Sequence, residues 1–504
     1  MFNKTQKTAR MGWLRKTGIP ACLWVGCILS PLSQSCLAGM TPEWPGATVK
    51  ITDLLQSYTN HGQYFLAQAS VMTSNGCHVA KVEGSRAEGY RVRRDGRAGR
   101  RYEEVSVPVF SQDGSCLAYV AAKEGAQVVV VNDKEDPAFR AVAAPTLALS
   151  CDGKRHAYVA EQLGQLVLVI DGQTQANNEL APRNGIPVFS PDGSTVAYVA
   201  QDKLRGKLCV VVNGKAGELH DAVDGRFFTF SADSKHMAYA AMEGAKQFRV
   251  VDGKRGPGFD GIGIDFVFSA DGKRTAYAGQ NGQDWFLVVD GKAEAKIEGV
   301  VDGTLTFSPD GKRLACAVAK PDRSAYILAD GKAGPVHDSI GGSAPSAPAP
   351  NQASTYAVGS KTSVLFSPDS RRIAYLAHSG PTRKIYVNGK AEDVEMDFLV
   401  GGMVFSDDSK RLAYGGRRGN RFFLVLDGKQ GDEYDALGYF GFSQDGKHIA
   451  FTAKKGDKMV IVVDGKERAT YDSVPAGPVF RADGALEFLA AEKPTLYRIE
   501  VRGL

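Results

Sequence analysis

The chain has little net charge, no cysteine pairing pattern, no apolar run of membrane length and no catalytic signature. Each absence narrows what it can be. Its 61 basic and 56 acidic residues leave a formal net charge of +5. Lys4, Lys7, Arg10, Arg15 and Lys16 supply that excess within residues 1–18, which hold no acid, so the remainder is close to neutral. Overall charge therefore gives no support to a nucleic-acid partner. Of eight cysteines, Cys22, Cys27 and Cys36 lie near the N-terminus; Cys77, Cys116, Cys151, Cys209 and Cys316 remain, an odd number without CxxC spacing. That implies neither a disulfide framework nor a zinc site. G-x-S-x-G, H-E-x-x-H, P-loop and EF-hand patterns are all missing. Residues 256–261 match G-x-G-x-x-G literally. A dinucleotide site needs that pattern to open a helix; here it follows a hairpin signal and leads into a strand.

The N-terminus reads as a secretory signal. A basic head is followed by the apolar stretch 19–32, IPACLWVGCILSPL, and then by small residues at Ser35, Cys36 and Ala38. The stretch is shorter than the ~20 residues of a membrane helix. Cleavage is expected after Ala38, giving a periplasmic or secreted protein that is not integral to the membrane. The plain alternative is an uncleaved anchor. Lipidation at Cys36 is disfavoured because Ser33-Gln34-Ser35 lacks leucine three places before the cysteine.

What is present is a repeat. A Phe-Ser-x-Asp-Gly phase recurs eleven times, anchored at Asn75, Asp113, Asp152, Asp192, Asp233, Asp271, Asp310, Asp369, Asp408, Asp445 and Asp483. Spacings are 37 to 41 residues, except 59 between Asp310 and Asp369. Five past the anchor, alanine stands in ten of the eleven repeats, among them Ala118, Ala238 and Ala374, usually followed by an aromatic residue such as Tyr119, Tyr239 or Tyr375. A second turn recurs as Asp-Gly or Asn-Gly, for example Asn213-Gly214 and Asp290-Gly291. Two glycine turns per repeat exclude helical repeats. A period near 39 with four strand-like runs predicts β-propeller blades. The alanine slot marks close approach of neighbouring blades, with the aromatic beside it filling the space between them. After the second turn comes a short strand ending in an aromatic residue or His plus Asp, as at Phe259-Asp260 and His337-Asp338.

Residues 307–315, FSPDGKRLA, and 366–375, FSPDSRRIAY, resemble the WD-repeat-like blade of TolB-type periplasmic propellers. The same blade occurs in the propeller domains of prolyl-oligopeptidase-like enzymes. The resemblance covers roughly residues 65–504 and implies fold far more than function. No room is left for an α/β-hydrolase domain.

Eleven blades exceed the usual four to eight per ring, so two rings are expected. The Pro/Ala/Ser-rich segment 341–360 reads as a linker or a long loop. As a linker it divides the chain into a signal (1–38), blades 1–7 (39–340) and blades 8–11 (361–504). The last repeat stops after its third strand, and a lone strand near Thr48-Val49-Lys50-Ile51-Thr52 could complete it. Closure of that kind removes exposed edges.

The histidines read as parts of the repeat. His78, His236 and His448 sit three past the anchor, where other blades carry Arg155, Arg274, Arg313, Arg372 and Arg411. His220 and His337 take an aromatic slot, His156 replaces an aliphatic residue, and only His61 and His378 fall outside these positions. Binding is expected in what differs between blades. Arg417, Arg418 and Arg421 lie between the second and third strands of blade 9; Trp285 begins the third strand of blade 6 beside Asn281 and Asp284. Arginine forks suit carboxylate-rich surfaces, and tryptophan suits contact sites. The plain alternatives are a solvated loop and ordinary packing. The seven arginines of blade 1, from Arg86 to Arg101, read as a charge-protected outer edge rather than an anion site. The expectation is a non-catalytic exported scaffold that binds a protein or cell-envelope partner, with no catalytic residue, metal ligand or cofactor. The alternative is a propeller lyase or hydrolase acting on carbohydrate with a metal in its channel.

Overall fold

Each repeat folds as an antiparallel sheet whose strands lie side by side in chain order. In the sixth, Gly261–Phe268, Thr275–Asn281, Asp284–Val289 and Lys292–Ile297 pair in that sequence. The last two are joined by Asp290-Gly291, with φ of 50° and 75°. Two successive positive φ values make a type I′ hairpin, which Asp-Gly adopts at low cost. The expected second turn has this geometry again at Asp95-Gly96, Asp252-Gly253, Asp330-Gly331 and Asp427-Gly428. Second and third strands are buried along their middles, whereas the fourth buries only Ile297. Fourth strands therefore form the outer rim, and first strands face the axis.

The computed structural model describes residues 48–55, 70–72, 78–175, 180–182, 186–341, 364–380, 382–492 and 495–504. Among them stand eleven sheets, blades 1 to 11, over residues 70–102, 104–135, 141–175, 180–216, 222–255, 261–297, 306–337, 339–391, 398–434, 436–471 and 473–502. The chain is an all-β, WD-repeat-like propeller. In blades 2, 3, 4 and 8 the first strand is split into two segments that pair with one second strand. Blade 11 takes its fourth strand from the N-terminus: Thr48–Leu55 runs antiparallel to Thr495–Arg502, with Ile51 opposite Ile499. The lone strand foreseen at residues 48–52 thus completes the last blade. The expected signal at 1–38, Asn75, Cys77 and His61 lie outside the described residues.

Blades meet through the alanine slot. Ala118 shares a core with Tyr158 of the next blade, Ala238 with Tyr277, and Ala374 with Tyr414. These three alanines are at most 1 % exposed. In blade 7 the aromatic position holds Cys316, 1 % exposed within the core shared with blade 6. Burial pushes its thiol up to about 12, so it packs as a small apolar group.

A polar latch runs along one face. Arg313, three past its anchor, donates from Nε to Asp330 of its own second turn (2.8 Å) and from Nη1 to the carbonyls of Ser370 (3.0 Å) and Arg371 (3.1 Å) in the next blade. Its guanidinium lies 5.2 Å from the Phe366 ring centre. Arg155, Arg274 and Arg411 repeat the arrangement. His78, His236 and His448 replace the arginine and hold Asp95, Asp252 and Asp464 at 2.7 Å each. On the opposite face, Asp260, Asp338, Asp397 and Asp435 accept the N–H of Gly282, Gly380, Gly419 and Gly456 in the following blade's hairpin at 2.7 to 2.8 Å. The repeated histidines and aspartates brace turns, as expected of residues common to most blades.

The foreseen linker falls almost wholly outside the described residues. On either side of it, Ala315 and Ile327 of blade 7 share a core with Ile340, Val364 and Tyr375 of blade 8. Asp310 also donates its N–H to Ser370 Oγ at 3.0 Å. The blade 7–8 seam has the same apolar core and the same latch as the others.

Blade 11 departs from the repeat in one respect that its sequence spacing hides. Its first turn is one residue shorter: Arg481 N–H bonds to Ala485 O, four residues on, whereas Ser190 bonds to Thr195 O, five on. The shift places Phe488 in the aromatic slot, in a core with Ala450 and Tyr471 of blade 10. The alanine slot therefore holds Glu487, 3 % exposed. Blade 1, whose aromatic slot holds Lys81, lies close enough that the charge of Arg498 from blade 11 acts on Asp95. Burial works to raise the Asp95 carboxyl, but hydrogen bonds from His78 and Val79 outweigh it, and the group lies below its ordinary range.

Candidate functional site

The hairpin face of blades 8 and 9 gathers cationic groups, unpaired among the described residues, around an exposed aromatic ring. Phe398 opens the first strand of blade 9, Phe398–Phe405, and is 42 % exposed. It pairs across the sheet with Arg417, which pairs in turn with Phe422, so the three side chains lie on one side of the blade. The Arg417 guanidinium sits 4.2 Å from the Phe398 ring centre; that of Arg383, from blade 8, sits 4.4 Å from the same ring. The ring is thus shared by two guanidiniums, a cation–π arrangement that holds both arginines extended. Among the described residues, Arg417 Nε and Arg383 Nη1 are buried without a hydrogen-bond partner. Buried donors left in that state cost stability, so they are retained for some other reason or satisfied by what binds. His378, directly opposite Arg383 in blade 8, also has an unpartnered Nε2. Burial first, then the charge of Arg383, lowers its pKa and keeps the imidazole neutral.

The other arginines expected here are already engaged. The loop expected to carry them is a tight hairpin, with Arg417 and Arg418 ending the strand Leu412–Arg418 and Arg421 beginning the strand Arg421–Leu426. Arg418 donates to Glu395 O at 2.6 Å. Arg421 pairs with Asp435 and donates to Glu433 O at 2.8 Å. The turn between these strands is braced as well, its Gly419 N–H held by Asp397.

Trp285, Asn281 and Asp284 lie on the hairpin of blade 6 and are not brought to this cluster. Trp285 is partly buried against the core containing Leu287 and Ile297. Asn281 Oδ1 accepts from Lys246 (3.3 Å) and from the Asp260 N–H (3.2 Å), and Asp284 pairs with Lys296 at 2.9 Å. In blade 1, Arg91 and Arg93 both clasp Glu83, and Arg94 serves as its latch to Gly114 O and Ser115 O.

Sequence reading missed Arg383 and marked His378 only as lying outside the repeat slots. A usable signal exists in the ninth position past the anchor, which holds Glu161, Gln201, Met242, Gln280 and Ala319 in blades 3 to 7, then His378, Arg417 and Lys454 in blades 8 to 10. Read down that column, the chain changes character at blade 8. Among the described residues, no group of three or more His, Cys, Asp or Glu is placed to hold a metal ion.

No family model matches the chain, and no curated protein matches it. Solved structures do. A eukaryotic initiation factor is 15 % identical, over 73 % of this chain and 96 % of that one, with a TM-score of 0.38. The Dos1 propeller is 10 % identical over 78 % and 97 %, at 0.30. The β-propeller domain of Myceliophteria thermophila Cps50 (Swd1) is 11 % identical over 54 % and 94 %, at 0.23. The propeller assignment itself rests on the chain's own sheets.

Proposed function

We propose that this is an exported, non-catalytic propeller scaffold, similar in kind to TolB-type periplasmic proteins. Its hairpin face at blades 8 to 10 docks a carboxylate-bearing protein or envelope partner. One observation carries the reading: Phe398, exposed between Arg383 and Arg417, whose buried nitrogens lack partners. An aromatic ring flanked by guanidiniums is a surface suited to a binding hot spot. Export is supported by the basic head, apolar stretch and small residues of positions 1–38.

We also propose one ring in place of the two expected. Supporting it are the unbroken core and latch between blades 7 and 8 and the proximity of Arg498 in blade 11 to Asp95 in blade 1.

The docking reading is tested with a photo-crosslinking residue at Phe398 and, as control, at Lys154 on the latch face. Envelope extracts should yield a discrete adduct from position 398 alone, lost when Arg383→Ser and Arg417→Ser are added. Equal adducts from both positions, or an adduct indifferent to the arginines, would refute this placement.

A further inference from the structure

We infer that the hairpin tips of blades 3 and 4 form a membrane-contact point, where two leucines enter the interface of an anionic lipid surface. The site stands apart from the arginine cluster of blades 8 and 9 and does not rest on it.

The argument begins with the turn between second and third strands. In five blades its first residue is a glycine with positive φ: 57° at Gly244, 59° at Gly282, 70° at Gly380, 57° at Gly419 and 62° at Gly456. The missing Cβ makes that conformation cheap. Blade 3 places Leu163 there, at φ 51° and 98 % exposed. Among the described residues, every other non-glycine residue with positive φ is polar or charged. Leu163 thus bears a left-handed backbone and a hydrated apolar side chain at once, with no packing to offset either.

Blade 4 presents a leucine by a different device. Its strands Val196–Asp202 and Leu208–Val212 leave residues 203–207 between them. Asp202, 8 % exposed, accepts the N–H of Leu204 (2.8 Å) and of Arg205 (2.7 Å). Gln201 Nε2 donates to Gly206 O at 2.8 Å. The loop is braced from within, and what it holds out is Leu204, 89 % exposed. Lys203 Nζ donates to Gln165 Oε1 of blade 3 at 3.2 Å, which ties one tip to the other.

Two features choose the occupant. The leucines stand on projecting turns rather than in a groove. A protein would need an apolar pocket for each, whereas a lipid interface accepts apolar side chains without a matching shape. Charge is the second feature. Residues 162–166 and 202–206 hold Lys203 and Arg205 against one acid, Asp202, which is turned inward onto its own loop. Leu204 lies between these two cations in the chain. An apolar tip flanked by cations fits anionic headgroups above an acyl layer. Two such side chains bury too little for permanent attachment, so the contact is reversible.

The test introduces tryptophan into the full chain at Leu204 and, as control, at Lys154 on the latch face. Vesicles of equimolar phosphatidylglycerol and phosphatidylethanolamine with brominated acyl chains should quench Leu204→Trp beyond the parent and leave Lys154→Trp at the parent's level. Phosphatidylcholine vesicles should quench less. Leu163→Asn, added to Leu204→Trp, should weaken vesicle partition about tenfold, as expected for one leucine left in water. It should also raise the melting temperature, because asparagine tolerates the left-handed turn. The reporter sits at the tip, so attachment through residues 1–38 does not mimic it. Quenching absent at position 204, equal at both positions, equal for the two lipids or indifferent to Leu163→Asn would overturn the site, as would a melting temperature lowered by that substitution. A blue shift at position 204 that grows with protein concentration without lipid would assign the tips to a second copy and overturn the lipid assignment.

Discussion

Replacing Ala374 by leucine should strain the seam between blades 8 and 9 without unmaking either blade. Ala374 is fully buried and shares its core with Met403, Tyr414 and Phe423, none more than 1 % exposed. Leucine adds three carbons to this space. Its neighbours are anchored by the sheet and, for Tyr414, by the 2.7 Å hydrogen bond to Glu392, so the ring cannot turn aside without losing that bond. Overpacking of this kind costs about 1–3 kcal/mol. With a urea m value of about 3 kcal/mol/M, a 2 kcal/mol loss lowers the midpoint by about 0.7 M. Ala238→Leu should behave similarly against Tyr277 and Phe266. Circular dichroism and intrinsic fluorescence should move together if the seams unfold as one cooperative body. Unchanged midpoints for both variants, with an exposed control such as Lys154→Leu also unchanged, would remove this account of the alanine slot.

His220 and His337 are buried mainly neutral: burial lowers both pKa values from 6.5, assisted at His220 by the charge of Arg255. A depressed folded pKa means that stability is fully present above 6.5 and falls as acid protonates the unfolded chain first. His220→Phe and His337→Phe should therefore flatten the loss of melting temperature between neutral and mildly acid pH; an unchanged slope refutes this. A protease site cut within residues 342–360 should leave two fragments that elute together at low salt, because blade 7 packs on blade 8; separate elution would favour two rings. Mass spectrometry of the exported protein should find Gly39 or a close neighbour at the N-terminus, and an intact Met1 on protein recovered from the cytoplasm would refute export.

Most of the propeller was legible because each blade obeys the same local chemistry. Asp-Gly turns, the alanine slot and the arginine or histidine three past the anchor each report a fixed backbone geometry, so their meaning can be read at a single position. Two things were not legible in that way. A turn shorter by one residue flips the faces of a strand, and counting from Asp483 therefore put Phe488 in the wrong slot and concealed Glu487. The cluster at Phe398 draws Arg383 and Arg417 from different blades, 34 residues apart in the chain. Proximity of that kind appears only when the repeats are stacked in columns. Arg418 and Arg421 looked as available as Arg417; what distinguishes them is whether Glu395, Glu433 and Asp435 happen to lie within reach.

The exchange at the seam of first and last blades bears on how the chain counts itself. The aromatic and alanine slots of the other seams are alike enough that a blade from one place, or from another copy, could dock in several. In the single ring proposed above, Lys81 of blade 1 and Glu487 of blade 11 occupy those slots where the ends meet; Glu487 is held by Arg481 (3.1 Å) and Arg498 (3.6 Å) of its own blade, so an apolar neighbour would have to desolvate an ionic surface, at a cost in free energy. An end of this unlike character works as a terminator. It makes an early closure or an exchanged blade between copies unfavourable, and so lets eleven near-identical parts stop at eleven.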